Sequence, residues 1–255
     1  MNRFFELSLV FFSGLVLLFI LAPLLGMVLE VSMPDLIQSA KDPEVQDSIV
    51  ITLLTAFGAT LFFSIAAIPF AYLLAKKTFP LKNLINGIID IPIVIPHTAA
   101  GIAILTVISR NSALGKLSES LGFEIIGTPV AISIAMAFVS IPFVINSARD
   151  GFAAVPERLE KAALNLGASP MRVFFTISIP LASKSIISGL VMMFARGMSE
   201  FGAVVIVAYH PMIAPVLIYE RFGAYGLKYA LPASVLFIVI SLFFFILLRI
   251  FSKKK

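Results

Sequence analysis

Residues 155–180 read VPERLEKAALNLGASPMRVFFTISIP and form the longest polar-containing interruption between two apolar segments of a 255-residue chain. The interruption carries its own helix signals, so it is not a bare connector. Pro156 suits a first helical turn, Glu157 and Glu160 favour the positive end of the helix dipole, and Gly167 supplies a left-handed stop, which predicts about three turns. Leu159, Ala162, Ala163 and Leu166 fall at i, i+3, i+4 and i+7, with Arg158, Glu160, Lys161 and Asn165 on the remaining arc. Two alanines in the centre of that stripe leave little side-chain bulk, which suits close approach by another protein. A second short helix is expected from Pro170, with Arg172 exposed, leading to Pro180. A helix lying on lipid is the competing reading, but such helices usually carry larger apolar residues and a richer basic face.

Outward from this helix the chain is too apolar for a soluble domain. Of its residues 60% are hydrophobic and 13% charged, against about 25% charged in soluble domains. The fold class expected is an all-α integral membrane protein, a single membrane domain over residues 1–255. Six transmembrane helices are expected near residues 7–29, 48–75, 84–108, 128–146, 185–208 and 232–248, with the polar loop 149–184 between the fourth and fifth. Residues 7–29 hold no charge, run longer than a cleaved signal core and lack an A-x-A-like cleavage site. Pro34 and Pro43, set among Asp35, Asp42, Glu44 and Asp47, predict an exposed loop over residues 31–47. Pro92 and Pro96 remove two backbone donors on one face of the third span, which predicts a kink or an opened helix. Residues 110–127 and 210–230 read as loops, with a small helix near residues 212–219 that either contacts an external partner or covers the bundle.

The cations orient the bundle. Arg3, Lys76, Lys77, Lys82, Arg149, Arg158, Lys161, Arg172, Lys184, Arg249, Lys253, Lys254 and Lys255 lie on the side of the termini, and Lys41, Arg110, Lys116, Arg221 and Lys228 lie opposite. By the positive-inside rule, both termini and residues 149–184 are expected in the cytoplasm of a multi-pass cell-membrane protein. The net charge of +5 therefore reads as orientation and not as nucleic-acid binding. There is no cysteine, and two histidines do not build a zinc site, so no metal is expected.

Ala162-Ala163, Gly167 four positions on, and Ile177-Ser178-Ile179-Pro180 nine residues later resemble the cytoplasmic EAA loop of ABC importer permeases, whose pattern is E-A-A, x3, G, x9, I-x-L-P. Two positions depart from it. Lys161 stands where the family has glutamate, with Glu160 one residue earlier and about 100° away on the helix, and Ile179 replaces leucine. The stretch Asp90-Ile91-Pro92-Ile93-Val94-Ile95-Pro96 with Gly101, and ARGMSEFGA at residues 195–203, are similar to the third and fifth spans of oxyanion importer permeases. The second stretch, with Tyr219-Glu220, is most similar to the molybdate/tungstate type, the sulfate/thiosulfate type being close behind. The resemblance implies a homodimer lining one pathway and two ATP-binding cassette subunits held by the cytoplasmic loop through Glu160, Ala162, Ala163, Gly167, Arg172 and Pro180. It also implies an external oxyanion-binding protein, and ATP and magnesium bound by the partner subunit rather than by this chain. In keeping with this, the sequence has no G-x-x-x-x-G-K-[ST] phosphate loop.

Arg196 and Glu200 are the costly residues of the fifth span. A charge at the bilayer centre costs about 2.5–3.5 kcal/mol, so both should face protein or water and find partners. Four positions apart, they can pair and fix helix packing. Alternatively Arg196, with Ser199 beside it, faces the pathway and lowers the barrier for a divalent oxyanion. His97 and Thr98, just after Pro96, either offer donors to an anion in the opened helix or are satisfied by a neighbouring helix. Asp90 reads as a packing or capping partner, since it would repel an anion. An ion-coupled secondary transporter would need more intramembrane carboxylates than Asp90 and Glu200 and usually repeated halves. An enzyme is excluded by the lack of H-E-x-x-H, G-x-S-x-G and paired aspartates.

Overall fold

The computed structural model describes residues 3–253, and every regular element among them is helical. Helix α1 (Arg3–Glu30) is followed by α2 (Met33–Lys41) and α3 (Pro43–Lys76). The exposed loop expected over residues 31–47 is thus helical. Pro34 sits in the first turn of α2 and Pro43 opens α3, positions where a missing N–H would have had no partner anyway. Ser32 Oγ accepts from the Asp35 amide at 3.3 Å, and Asp42 Oδ1 accepts from the Glu44 amide at 2.9 Å, so each proline follows a side-chain cap.

The helix expected over residues 84–108 is broken. Helices α4 (Lys82–Val94) and α5 (His97–Ile108) meet at an angle of 111°. Pro92 is accommodated inside α4, and the break falls at Ile95, in extended conformation at φ −73° and ψ 149° because Pro96 follows it. A short α6 (Ala113–Ser120), in the segment expected as loop, leads to α7 (Pro129–Ala153), α8 (Glu157–Asn165) and α9 (Pro170–Val173). A π-helical turn, Phe174–Ser178, joins α9 to α10 (Ile179–Met198), so that residues 170–198 form one continuous rod.

The helix expected over residues 185–208 therefore starts earlier and stops earlier. Pro180 does not end a helix; its missing N–H and its ring are absorbed by the widened π turn. The rod stops at Met198, where Glu200 folds back and its carboxylate takes the Ala203 amide at 2.8 Å, an alternative to continued helix. Then come α11 (Val204–Val207), α12 (Ala214–Tyr225) and α13 (Leu227–Lys253). Among the described residues five helices are long and apolar enough to cross a membrane, six candidates if the bent pair is one span.

The centre of the bundle is α3 against α7 and α7 against α10, packed through small residues such as Ala56, Ala59, Ala71, Ala131, Ala135 and Ala148. Thr55 lies beside Ser133 and Met136, and Lys76 beside Val155, so α3 and α7 run parallel. Ser185 lies against Ser147 and Gly151, and Gly197 against Met136 and Ser140, so α10 runs antiparallel to α7. Ala233 packs with Val45 and Ile49, while Phe244 and Leu248 pack on the main core, so α13 runs with α3. The chain returns from the Lys76 end of the bundle to the Pro129 end through α4, α5 and α6. By contrast, α1 packs on α13 and buries none of its residues.

Candidate functional site

Two sites bring the sequence-predicted residues together. The first is α8, at the end of the bundle where α3 and α7 finish. Its nine residues stop in a Schellman motif: Gly167, at φ +86°, donates to the Leu164 carbonyl, and Ala168 donates to the Ala163 carbonyl. Leu159, Ala162 and Leu166 are exposed, Leu166 to 89%, and Ala163 is half-buried, so the apolar stripe faces away from the bundle. Lys161 and Glu157 pair at 2.7 Å on the exposed side, the glutamate N-terminal as favours such pairs.

The residue that α8 buries is Glu160. Its Oε1 accepts from Ser178 Oγ at 2.6 Å and its Oε2 meets Lys76 Nζ at 2.9 Å. Lys76 Nζ also donates to the Val155 carbonyl at 2.9 Å, which fixes the entry to α8. Lys76 and Ser178 were not among the residues singled out from sequence, although Ser178 occupies the free position within the I-x-L-P pattern. Arg172 is exposed in α9 and Pro180 in the first turn of α10, away from this carboxylate.

The second site lies where two interrupted helices meet. Pro96 ends the break before α5, and Ser199 to Ala203 form the irregular turn after α10. Glu200, 1% exposed, accepts on Oε2 from His97 Nδ1 at 2.6 Å and from Arg196 Nη2 at 2.9 Å. Its other oxygen takes the Ala203 amide, so both carboxylate oxygens are engaged. Arg196 Nη1 reaches Ser199 Oγ at 3.3 Å. The side chains of Arg196 and His97 remain 25% and 37% exposed, so the guanidinium and imidazole edge of the cluster is accessible while its carboxylate is not. Thr98 is exposed beside His97 but outside the cluster, Pro92 is buried and Pro96 exposed.

Close backbone approach makes this meeting possible. A Cβ at Gly202 would lie 2.7 Å from His97 Cβ, and one at Gly101 would lie 2.8 Å from the Ala203 carbonyl oxygen. The pair expected from sequence, Arg196 with Glu200, is present; the third member, His97, comes from a helix about a hundred positions earlier. Asp90 accepts from Asn146 Nδ2 at 2.7 Å, a packing contact between α4 and α7.

Comparison with known proteins matches residues 67–255 to the family model of the binding-protein-dependent transport system inner membrane component. The molybdate/tungstate transport system permease protein of Pyrococcus abyssi is 46% identical over 84% of this chain and 81% of its own. The protein of the same name from Methanocaldococcus jannaschii is 39% identical over 98% of each chain. A probable sulfate transport system permease protein of Chlorokybus atmophyticus is 36% identical over 82% of this chain and 74% of its own. Among solved structures, the fold matches a bacterial ABC transporter involved in import of the acidic polysaccharide alginate, with a TM-score of 0.74 at 14% identity, covering 99% of this chain and 96% of that one. The chain is a multi-pass membrane protein that belongs to the family of binding-protein-dependent transport system inner membrane components, the permease subunits of ABC importers.

Proposed function

We propose that this chain is the permease subunit of an ATP-driven importer of molybdate or tungstate, working as a homodimer whose two copies line one pathway. An ATP-binding cassette subunit docks on α8 of each copy and supplies ATP and magnesium, and an external oxyanion-binding protein delivers the substrate. The observation that carries the reading is the posture of α8, a helix tied to the bundle by a buried carboxylate with its apolar stripe turned outward. The anion is assigned from the two archaeal relatives named above. A solved relative of the same fold, the alginate transporter, is described in complex with a substrate-bound periplasmic protein, which supports an external delivery partner.

The helix directions support six crossings. With α3 and α7 parallel, the bent pair α4–α5 has to carry the chain back across the bilayer between them. Both termini then share the side of Lys76 and α8, the side where the cations gather. At the second site, Glu200 holds Arg196 and His97 in place, and their exposed edges, with Ser199, present positive and polar groups to a dianion in transit. Because Glu200 already draws on both, the anion meets a partly neutralised site that can release it.

Reconstituting the chain in vesicles with its cassette subunit and tungstate-loaded binding protein tests the proposal. ATP-dependent tungstate uptake that sulfate does not compete for is expected. Uptake driven by an ion gradient without ATP would overturn the transport class, and equal competition by sulfate would overturn the substrate.

A further inference from the structure

An amphipathic helix normally turns its apolar face inward and its charges outward. Helix α8 does the reverse: among its residues the one buried is Glu160, at 8% exposure. A carboxylate taken out of water is costly unless it is paired and hydrogen-bonded, and here it is both. Its two partners sit on two different spans. Lys76 is the last residue of α3, with its side chain 11% exposed, and Ser178 is the last residue of the π turn, fully buried. Just inside the bundle, Tyr72 of α3 packs edge-on against Phe152 of α7 at 5.2 Å and against Phe174, the first residue of the π turn, at 4.9 Å. The ends of three spans are therefore held in one cluster, with Glu160 as the member contributed by α8.

The π turn is where the rod can yield. The Ile179 amide bonds to the Phe174 carbonyl five residues back, and Pro180 has no N–H with which to restore the α pattern. Arg196 lies at the far end of that rod, about five turns away. A displacement of α8 that pulls on Ser178 acts at the yielding turn, and one that pulls on Lys76 acts on α3.

We propose that Glu160 is a positioning residue that transmits movement of the docked cassette subunit into α3 and α10, and that it works inside this chain rather than at the contact with the cassette. The inference rests on the importer reading above. It assigns Lys76 and Ser178 the same role, and it makes the charge pair, not the carboxylate as such, the requirement.

The test uses the complex of permease, cassette subunit and tungstate-loaded binding protein in vesicles. Although the resemblance places Glu160 at the cassette contact, its burial leaves the outward stripe of Ala162 and Leu166 untouched by substitution, so Glu160→Gln and Lys76→Met are expected to retain the cassette subunit at wild-type stoichiometry. Stimulation of hydrolysis by the loaded binding protein, and tungstate moved per ATP, should each fall about tenfold. The exchange Glu160→Lys with Lys76→Glu should regain more of both than the product of the single variants predicts. Ser178→Ala, which leaves the ion pair in place, should show the same split with a smaller loss. Loss of the cassette subunit from a folded Glu160→Gln permease would overturn the proposal by placing Glu160 at the contact, and so would undiminished stimulation. Failure of the wild-type chain to hold a cassette subunit would instead overturn the importer reading as well.

Discussion

Glu200 shows how one residue can make two interrupted helices compatible with a membrane interior. Fully buried, it satisfies Arg196, His97 and the Ala203 amide at once. Removing one partner of a buried charge network leaves the others uncompensated, which costs about 3–5 kcal/mol. Glu200→Ala should accordingly lower the thermal midpoint of the detergent-solubilised protein, since Arg196, His97 and the Ala203 amide lose their shared acceptor at once. Arg196→Gln removes the cation but leaves a side chain able to hydrogen-bond Glu200, so it should assemble and bind its cassette subunit while anion uptake falls at least tenfold. Unchanged uptake would take Arg196 out of the pathway. At the end of the bundle remote from α8, Arg221 meets Asp42 at 2.6 Å and Glu44 at 3.4 Å. Burial alone would raise the Asp42 carboxyl, but hydrogen bonds from Arg221 and from the Glu44 and Val45 amides, with the charge of Arg221, outweigh it and hold the pKa below the ordinary 3.8. A depressed folded-state pKa contributes stability above the unfolded value that is lost as pH falls through the folded one. The stability difference between the wild type and Asp42→Asn should therefore be constant at neutral pH and disappear only below the ordinary aspartate range, as thermal melts against pH would register.

At the scale of elements, α8 is short, nine residues, and isolated helices of that length are marginal in water. It persists because of its Schellman stop and its carboxylate anchor. Ala163→Leu adds bulk to the half-buried edge of the docking stripe and should uncouple ATP hydrolysis from transport; wild-type substrate-stimulated hydrolysis in that variant would sink the docking geometry. A non-glycine residue at Gly167 has to adopt φ +86°, at a cost of about 1–2 kcal/mol, so Gly167→Ala should show the same uncoupling more weakly. The extent and stop of α8 were legible because proline, glutamate and glycine act locally. So were the long apolar helices expected near residues 7–29, 48–75 and 232–248, where apolar length decides. What the pattern concealed depended on partners distant in sequence. Pro34 and Pro43 look like helix breakers until their caps are known, and Pro180 looks like a stop until the π turn absorbs it. Glu160 reads as solvated surface because neither Lys76 nor Ser178 is its neighbour on the helix. His97 and Arg196 could each be suspected separately, but their meeting is set by Gly101 and Gly202, whose missing side chains let α5 approach the turn after α10.

For the whole molecule the decisive element is the bent pair α4–α5. A change of direction of 111° suits either a crossing or a re-entrant hairpin when the pair is taken alone. The parallel course of α3 and α7 favours the proposed crossing, because a re-entrant pair would return the chain to the face it left. Two exposed residues mark the faces: Leu166, just beyond α8, and Leu121, between α6 and α7, exposed to 89% and 67%. The chain lacks cysteine, so a single introduced thiol is unique. In right-side-out vesicles a membrane-impermeant maleimide should label Leu121→Cys and spare Leu166→Cys, and in inverted vesicles the pattern should reverse. Labelling of both from one side would mean that α7, which separates them, does not cross the bilayer. Labelling of Leu166→Cys from outside and of Leu121→Cys from inside would mean that α4 and α5 fold back on themselves, leaving five crossings with the termini on opposite faces, or that the orientation drawn from the cations is inverted, and either would put α8 out of reach of any ATP-hydrolysing partner.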